Sequence, residues 1–133
     1  MVKGVEIACG VSNHSGYIKA LACTDIVPKN EFFDYESKYS GLSEEVTPAR
    51  IHEGTYAQIM EESEFIYESL NLNGLARVDY IVTDHGVPFL IEVNTIPGLS
   101  EASILPKQAG YAGYDLGDIF DQCVDNTIKS RRK

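Results

Sequence analysis

The chain has 133 residues, 44% hydrophobic and 23% charged, which places it with folded globular domains and away from disordered, collagen-like or disulfide-scaffold sequences. Twenty acidic against eleven basic side chains give a formal net charge of −9. That field repels a phosphate backbone and makes nucleic acid a poor partner, although an anionic nucleotide is acceptable where metal and local basic groups screen it.

The apolar runs fall far short of the ~20 residues that span a bilayer, and the start lacks the basic-then-apolar pattern of a secretory leader. Neither membrane insertion nor secretion is expected. The length suits one domain around one compact core. Val5–Val11 and Tyr17–Cys23 are predicted strands, joined as a hairpin through the turn formers Ser12-Asn13-His14-Ser15-Gly16. Cys9, Cys23 and Cys123 are odd in number and lack C-x-x-C spacing, so they are taken as buried, inert thiols in a reducing cytosol. From Lys29 to Arg50 no period emerges, while Phe32, Phe33, Tyr35 and Tyr39 crowd among acidic residues. A loop this long in a compact domain is commonly a lid or binding loop, and its aromatic content argues against plain disorder.

Thr47-Pro48 is a candidate helix start. Tyr56, Ile59, Met60, Ser63, Ile66, Tyr67 and Leu70 then recur at helical spacing until Asn73-Gly74, opposite a solvated face of Glu61, Glu62, Glu64 and Glu68. A second amphipathic helix carries Leu116, Ile119, Phe120, Cys123, Val124 and Ile128, with Asp115 as N-cap and a basic end at the negative pole of the helix dipole.

Between those helices, Ala76–Thr83 and Val87–Asn94 flank Asp84-His85-Gly86. A two-residue His85-Gly86 turn sets Asp84 opposite Val87, and then Arg77 faces Asn94, Asp79 faces Glu92 and Ile81 faces Leu90 on one side of the ribbon. Val78/Val93, Tyr80/Ile91 and Val82/Phe89 form the other, apolar side. Facing carboxylates are unfavourable unless neutralised. Two readings stay open: hard oxygen donors around Mg²⁺ or Mn²⁺, or Arg77 bridging both carboxylates on a solvated sheet.

After the hairpin, Ile96-Pro97-Gly98 suits a type II turn whose glycine lets backbone approach a ligand. Ser100 and Ser103 precede Ile104-Leu105, the possible start of a helical turn whose N–H groups face an anion. A metal face, a close-approach glycine and an anion-binding turn are the parts of a site for acyl-phosphate chemistry.

Ala76-Arg77-Val78-Asp79 together with Phe89-Leu90-Ile91-Glu92-Val93-Asn94-Thr95-Ile96-Pro97-Gly98 resembles the C-terminal lobe of the D-alanine–D-alanine ligases of the ATP-grasp superfamily. The segment from Lys29 to Tyr39 looks like that family's mobile loop, and the resemblance runs over nearly the whole chain. It implies an α+β fold, an antiparallel sheet packed with two main helices, and a mobile active-site loop over residues 29–50. It also implies that Asp79, Glu92 and Asn94 hold two Mg²⁺ or Mn²⁺ ions against the phosphates of the co-substrate ATP, and that Glu6 binds the ribose. Arg77 and the Gly98 N–H would steady the tetrahedral intermediate. Ser103 and the Ile104 N–H would hold the carboxylate of the second of two D-alanines, Lys38 would reach the γ-phosphate, and Tyr39 would help close the dipeptide site. The implied setting is peptidoglycan precursor synthesis in a bacterial cytoplasm, by an enzyme that is a homodimer when complete.

The resemblance begins in the middle of the ligase, so the first-substrate domain and the other ATP lobe are expected to be absent. No G-x-x-x-x-G-K-[ST] phosphate loop takes their place. The chain by itself is therefore expected to be inactive and prone to self-association. Two alternatives are a stand-alone, non-catalytic nucleotide- or metal-binding module and another ATP-grasp carboxylate–amine ligase. Lys38-Tyr39 and Ser103-Ile104 speak against the second. His14, His52 and His85 fall at turns or a helix start, where exposure without a catalytic role is expected.

Overall fold

A computed structural model of the chain describes residues 1–14, 16–28 and 43–131. The elements are β1 (Val5–His14), β2 (Tyr17–Pro28), β3 (Ser43–Val46), α1 (Glu53–Ser69), β4 (Leu75–Val82), β5 (Pro88–Asn94), α2 (Ile104–Tyr111) and α3 (Leu116–Arg131). The strands form one antiparallel sheet in the order β3-β2-β1-β4-β5. The α+β class is as expected, with α2 added to the two main helices.

Side-chain alternation along the central strand β1 divides the molecule. Ile7, Cys9 and Val11 lie with Val78, Tyr80 and Val82 in a core that includes Ile59 and Tyr67 of α1. Leu21 and Leu75 pack with Leu105, Ala109 and Ile119 in a second core, under α2 and α3. A single compact core was the expectation. The sheet instead carries apolar side chains on both faces, and neither cluster exists without it.

α1 begins at Glu53, later than Thr47-Pro48 suggests, because His52 is its N-cap: Nδ1 accepts the Gly54 N–H at 3.1 Å. It ends before Gly74. Asn71 takes the left-handed conformation (φ 51°), the Asn71 N–H donates to the Glu68 carbonyl and the Leu72 N–H to the Tyr67 carbonyl, a Schellman stop with asparagine in the usual glycine position. Thr55, Ile59, Ser63 and Tyr67, four residues apart, are its buried row. The polar members are satisfied: Ser63 shares a 2.9 Å hydrogen bond with the Tyr80 hydroxyl, Thr55 donates to the Gly86 carbonyl and Tyr67 to that of Gly74. Glu64, expected in solvent, instead accepts the Ala20 N–H, and the Tyr56 hydroxyl accepts the Cys23 N–H. α1 thus satisfies donors of β2 outside the stretch that pairs with β3.

The expected loop over 29–50 is strand from Ser43 to Val46, paired with Asp25–Pro28. Beyond it the Ala49 N–H donates to the Cys23 carbonyl, and Arg50 forks onto the buried Asp25 carboxylate at 2.7 and 3.1 Å while its N–H adds a third bond. Ser-Glu-Glu-Val gives little apolar alternation because β3 is an edge strand, where charge is the rule. Lys38 and Tyr39 lie outside the described residues.

Cys9 and Cys23 are buried and face each other across β1 and β2, and Cys123 is partly buried. The Cys9 thiol beside it, with burial, holds the Cys23 thiol well above its ordinary range. These are inert thiols. His14 departs from expectation: its ring packs on Tyr114 at 4.9 Å, with Nδ1 buried and unpaired. Asp115 caps α3 as expected, its carboxylate accepting the Asp118 N–H. Of that helix's apolar row only Ile119 is buried, and Val124 is 58% exposed. Among the described residues no helix is long and apolar enough to cross a membrane.

Candidate active site

β4 and β5 place Arg77 opposite Asn94, Val78 opposite Val93 and Asp79 opposite Glu92. This is the register expected from the sequence at this end of the hairpin. It changes after Asp79, where a bulge leaves Tyr80 opposite Leu90, Ile81 opposite Phe89 and Val82 opposite Pro88. The cause lies in the turn. The Thr83 N–H bonds to the Val87 carbonyl and the Gly86 N–H to the Thr83 carbonyl, so the loop has three residues, with Gly86 at φ 76°, rather than two. The bulge absorbs the extra residue. Phe89 therefore shares the Ile81 side instead of the expected Val82 side, and Phe89 and Ile91 are 46% and 50% exposed.

The face carrying Asp79 also carries Glu6, whose β1 position pairs with Ile81, and Gly10, which pairs with Arg77. Three carboxylates, Glu6, Asp79 and Glu92, thus share one side of the sheet with one guanidinium. Asp79 is nearly enclosed, its side chain 5% exposed, and Arg77 grips it with both forks: Nε to Oδ1 at 2.9 Å and Nη2 to Oδ2 at 3.0 Å. Among the described ion pairs Arg77 bonds Asp79 and not Glu92, so the bridging-arginine reading holds for one carboxylate of the two. Burial and the charge of Asp79 raise the Glu6 pKa, against an opposing pull from Arg77, and Glu92 adds to the rise. The Asp79 bond pushes the Arg77 guanidinium still higher, against its own desolvation. The face carries unspent negative charge.

That donor set suits a hard divalent cation: two carboxylates and the Asn94 amide oxygen, which at present accepts the Ile96 N–H at 3.2 Å. Among the described residues no three His, Cys, Asp or Glu side chains form a cage, so a cation held here would take further ligands from water or substrate oxygens.

The strand leaves this face through Pro97 and Gly98. Gly98 does not adopt the positive φ that a type II turn requires, so the expected turn is absent. What marks the position is close approach: a Cβ there would stand 3.0 Å from Ser103 Oγ, a tight contact. The turn falls instead at Ser100–Ser103, closed by the Ser103 N–H to the Ser100 carbonyl and a 2.8 Å hydroxyl pair. Ser103 occupies the N-cap position of α2 without a side-chain capping bond, and Ile104 is the first helical residue.

Sequence reasoning missed what fixes α2 in place. Gln108 is fully buried, and its Nε2 donates to the Ala8 carbonyl at 2.9 Å and to Thr24 Oγ1 at 3.0 Å. Gly10 admits it, since a Cβ there would meet Gln108 Oε1 and Leu105 Cδ2 at 2.4 Å each. A glycine inside an apolar strand signals such an approach. The structure thus brings Glu6, Arg77, Asp79, Glu92 and Asn94 onto one face, and Gly98 and Ser103 against each other.

The chain matches the profile of the family described as D-ala D-ala ligase C-terminus over residues 1–125. It is 43% identical over 125 residues to the D-alanine–D-alanine ligase of Flavobacterium johnsoniae, covering 94% of this chain and 38% of that protein. To the ligase of Flavobacterium psychrophilum it is 45% identical over 132 residues, covering 99% and 39%. Its structure is similar to that of D-alanyl-alanine synthetase A from Vibrio cholerae, with a TM-score of 0.83 at 29% identity, over 96% of this chain and 39% of that one. The D-alanine–D-alanine ligase from Bacillus anthracis complexed with ATP gives a TM-score of 0.77 at 32% identity, over 99% and 42%. The chain therefore spans about two-fifths of the length of these relatives, and it belongs to the family of D-alanine–D-alanine ligase C-terminal domains.

Proposed function

We propose that this chain is the C-terminal catalytic lobe of an ATP-dependent ligase that joins two D-alanines through an acyl phosphate, for peptidoglycan precursors in the bacterial cytoplasm. The observation that carries the reading is the register of β4 on β5, which sets Asp79 opposite Glu92 with Arg77, Asn94 and Glu6 on the same face.

A carboxylate is a poor electrophile, and phosphorylation gives it a leaving group that the second amine can displace. Mg²⁺ or Mn²⁺, two ions in the full site, would be held by Asp79, Glu92 and Asn94 and supplies charge compensation to the transferring phosphoryl oxygens when bound. Glu6 orients the ribose, and Lys38 offers its ammonium to the γ-phosphate. Arg77 and the Gly98 N–H aim positive charge and a donor at the oxyanion of the tetrahedral intermediate, a contribution typically worth a few kcal/mol per donor. Ser103 and the Ile104 N–H, at the positive end of α2, receive the carboxylate of the second D-alanine. Tyr39 closes over the dipeptide site and, with the rest of the 29–50 segment acting as lid, keeps water from the acyl phosphate. Homodimerisation of the complete enzyme belongs to the same proposal.

A chimera tests it: the Flavobacterium johnsoniae ligase with its C-terminal lobe replaced by this chain. D-alanine-dependent phosphate release is expected, and Glu92→Gln is expected to lower it by roughly 100-fold or more. A folded chimera that binds ATP but shows no D-alanine-dependent release would contradict the reading. Without the other lobe, this chain is expected to form no dipeptide, because the reactants are no longer held in one geometry.

A further inference from the structure

The Arg77–Asp79 pair stands where the proposed cation would bind, and the inference drawn from it rests on reading Asp79, Glu92 and Asn94 as a divalent-cation site. We propose that Arg77 is a displaceable counterion: it closes Asp79 in the metal-free protein and is expelled when the cation arrives.

Both Asp79 oxygens are engaged by the arginine fork, at 2.9 and 3.0 Å. A bidentate guanidinium lies in the carboxylate plane and takes the lone pairs that a divalent ion uses best. Asp79 is 5% exposed, so it has little water to fall back on and must keep a cationic partner in either state. Arg77 is freer to move, with its side chain 24% exposed on the open side of the ribbon. The space over its β1 neighbour Gly10 is filled by Gln108 and Leu105, so its freedom lies on the exposed side.

The charge balance points the same way. Glu6, Asp79 and Glu92 with Arg77 carry a formal charge of −2. Without Arg77 the face would hold −3 and attract a divalent ion more strongly. The residue expected to help the reaction therefore weakens the cation site at rest, and cation loading releases its guanidinium for a developing negative charge.

The test is Mn²⁺ titration of this chain, with free Mn²⁺ followed by electron paramagnetic resonance. Arg77→Gln is expected to bind Mn²⁺ roughly tenfold more tightly than the wild type. Arg77→Lys, which keeps the charge and loses the fork, is expected to fall between them. Asp79→Asn is expected to bind more weakly than any of these. If Asp79→Asn weakens binding while Arg77→Gln binds no more tightly than wild type, the cation site stands and the counterion role is wrong. If Asp79→Asn binds as well as wild type, or if none of the proteins binds, the site reading fails and takes the proposal with it.

Arg77→Gln leaves a buried carboxylate unpaired and can lose its fold, so a second measurement follows the arginine of the wild type itself. The Arg77 ¹⁵Nε–H resonance, assigned by its loss in Arg77→Lys, is expected to move toward the position of a free guanidinium as Mg²⁺ is added. A resonance unmoved at saturating Mg²⁺ overturns the proposal.

Discussion

The two faces of β4 are made from one stretch of chain and serve opposite ends. Val78, Tyr80 and Val82 are at most 5% exposed on the α1 side, with the Tyr80 hydroxyl paired to Ser63. Arg77 and Asp79 point the other way, where with Glu6 and Glu92 they make a group of three carboxylates and one guanidinium. The α1 side has what a stable interior needs: close packing and satisfied polar groups. The other side concentrates like charge, with Asp79 buried under Arg77 and Glu6 and Glu92 exposed, and facing carboxylates destabilise a sheet unless neutralised. Period-two alternation lets one strand hold both, because packing on one face fixes the backbone on which the charged groups of the other are aligned.

The largest expected effect lies on the packed face. Ile59→Ala removes a fully buried side chain of α1 from the core shared with Val78 and Tyr80, and it is expected to lower unfolding free energy by about 2–5 kcal/mol in urea titrations. Tyr80→Phe is milder, about 1–2 kcal/mol, since it loses only the bond to Ser63. Burial pushes the Tyr80 hydroxyl up to about 12, so this difference is expected to persist from neutral pH to about pH 10. An effect of Tyr80→Phe that stayed unchanged between about pH 10 and pH 12 would show that the hydroxyl is not desolvated as described.

On the charged face the sign reverses. Glu6 has a folded-state pKa above its unfolded one, so its favourable contribution is complete below about pH 4 and is lost as pH rises through the folded value. Glu6→Gln is therefore expected to melt slightly higher than wild type at pH 7 and at the same temperature below pH 4. Saturating Mg²⁺ is expected to narrow the neutral-pH gap by offsetting the charges of Asp79 and Glu92. A variant less stable than wild type at pH 7 would mean that the carboxylate has a favourable partner.

Much of this was legible in the sequence for a physical reason: strand alternation is local. That Arg77 and Asp79 share one side of β4, and Glu92 and Asn94 one side of β5, follows from alternation, and the spacing of α1 identifies Ile59, Ser63 and Tyr67 of its buried row. The expected facing pairs, in contrast, hold only because a bulge offsets a longer turn. What escaped depends on contacts distant in sequence or on one residue of turn geometry. A three-residue loop ending in Gly86 moved Phe89 to the other face, and the bulge beside Asp79 restored the register where the charged residues sit. β3 was hidden because an edge strand needs no apolar period, and Gln108 because nothing local shows that a polar helix residue will bond a strand 100 positions away. The Arg77–Asp79 fork was foreseen only as a bridge to both carboxylates.

The central claim, that one face of β4 carries stability and the other is held ready for a cation, is tested most directly by the stability of Glu92→Gln with and without Mg²⁺. In EDTA this variant is expected to be as stable as wild type or slightly more so, since it removes one of three like charges. On addition of Mg²⁺ the wild type is expected to gain melting temperature while the variant gains little, because only a ligand bound to the native state shifts the equilibrium. A variant markedly less stable than wild type in EDTA, or one that gains as much from Mg²⁺, would contradict the account.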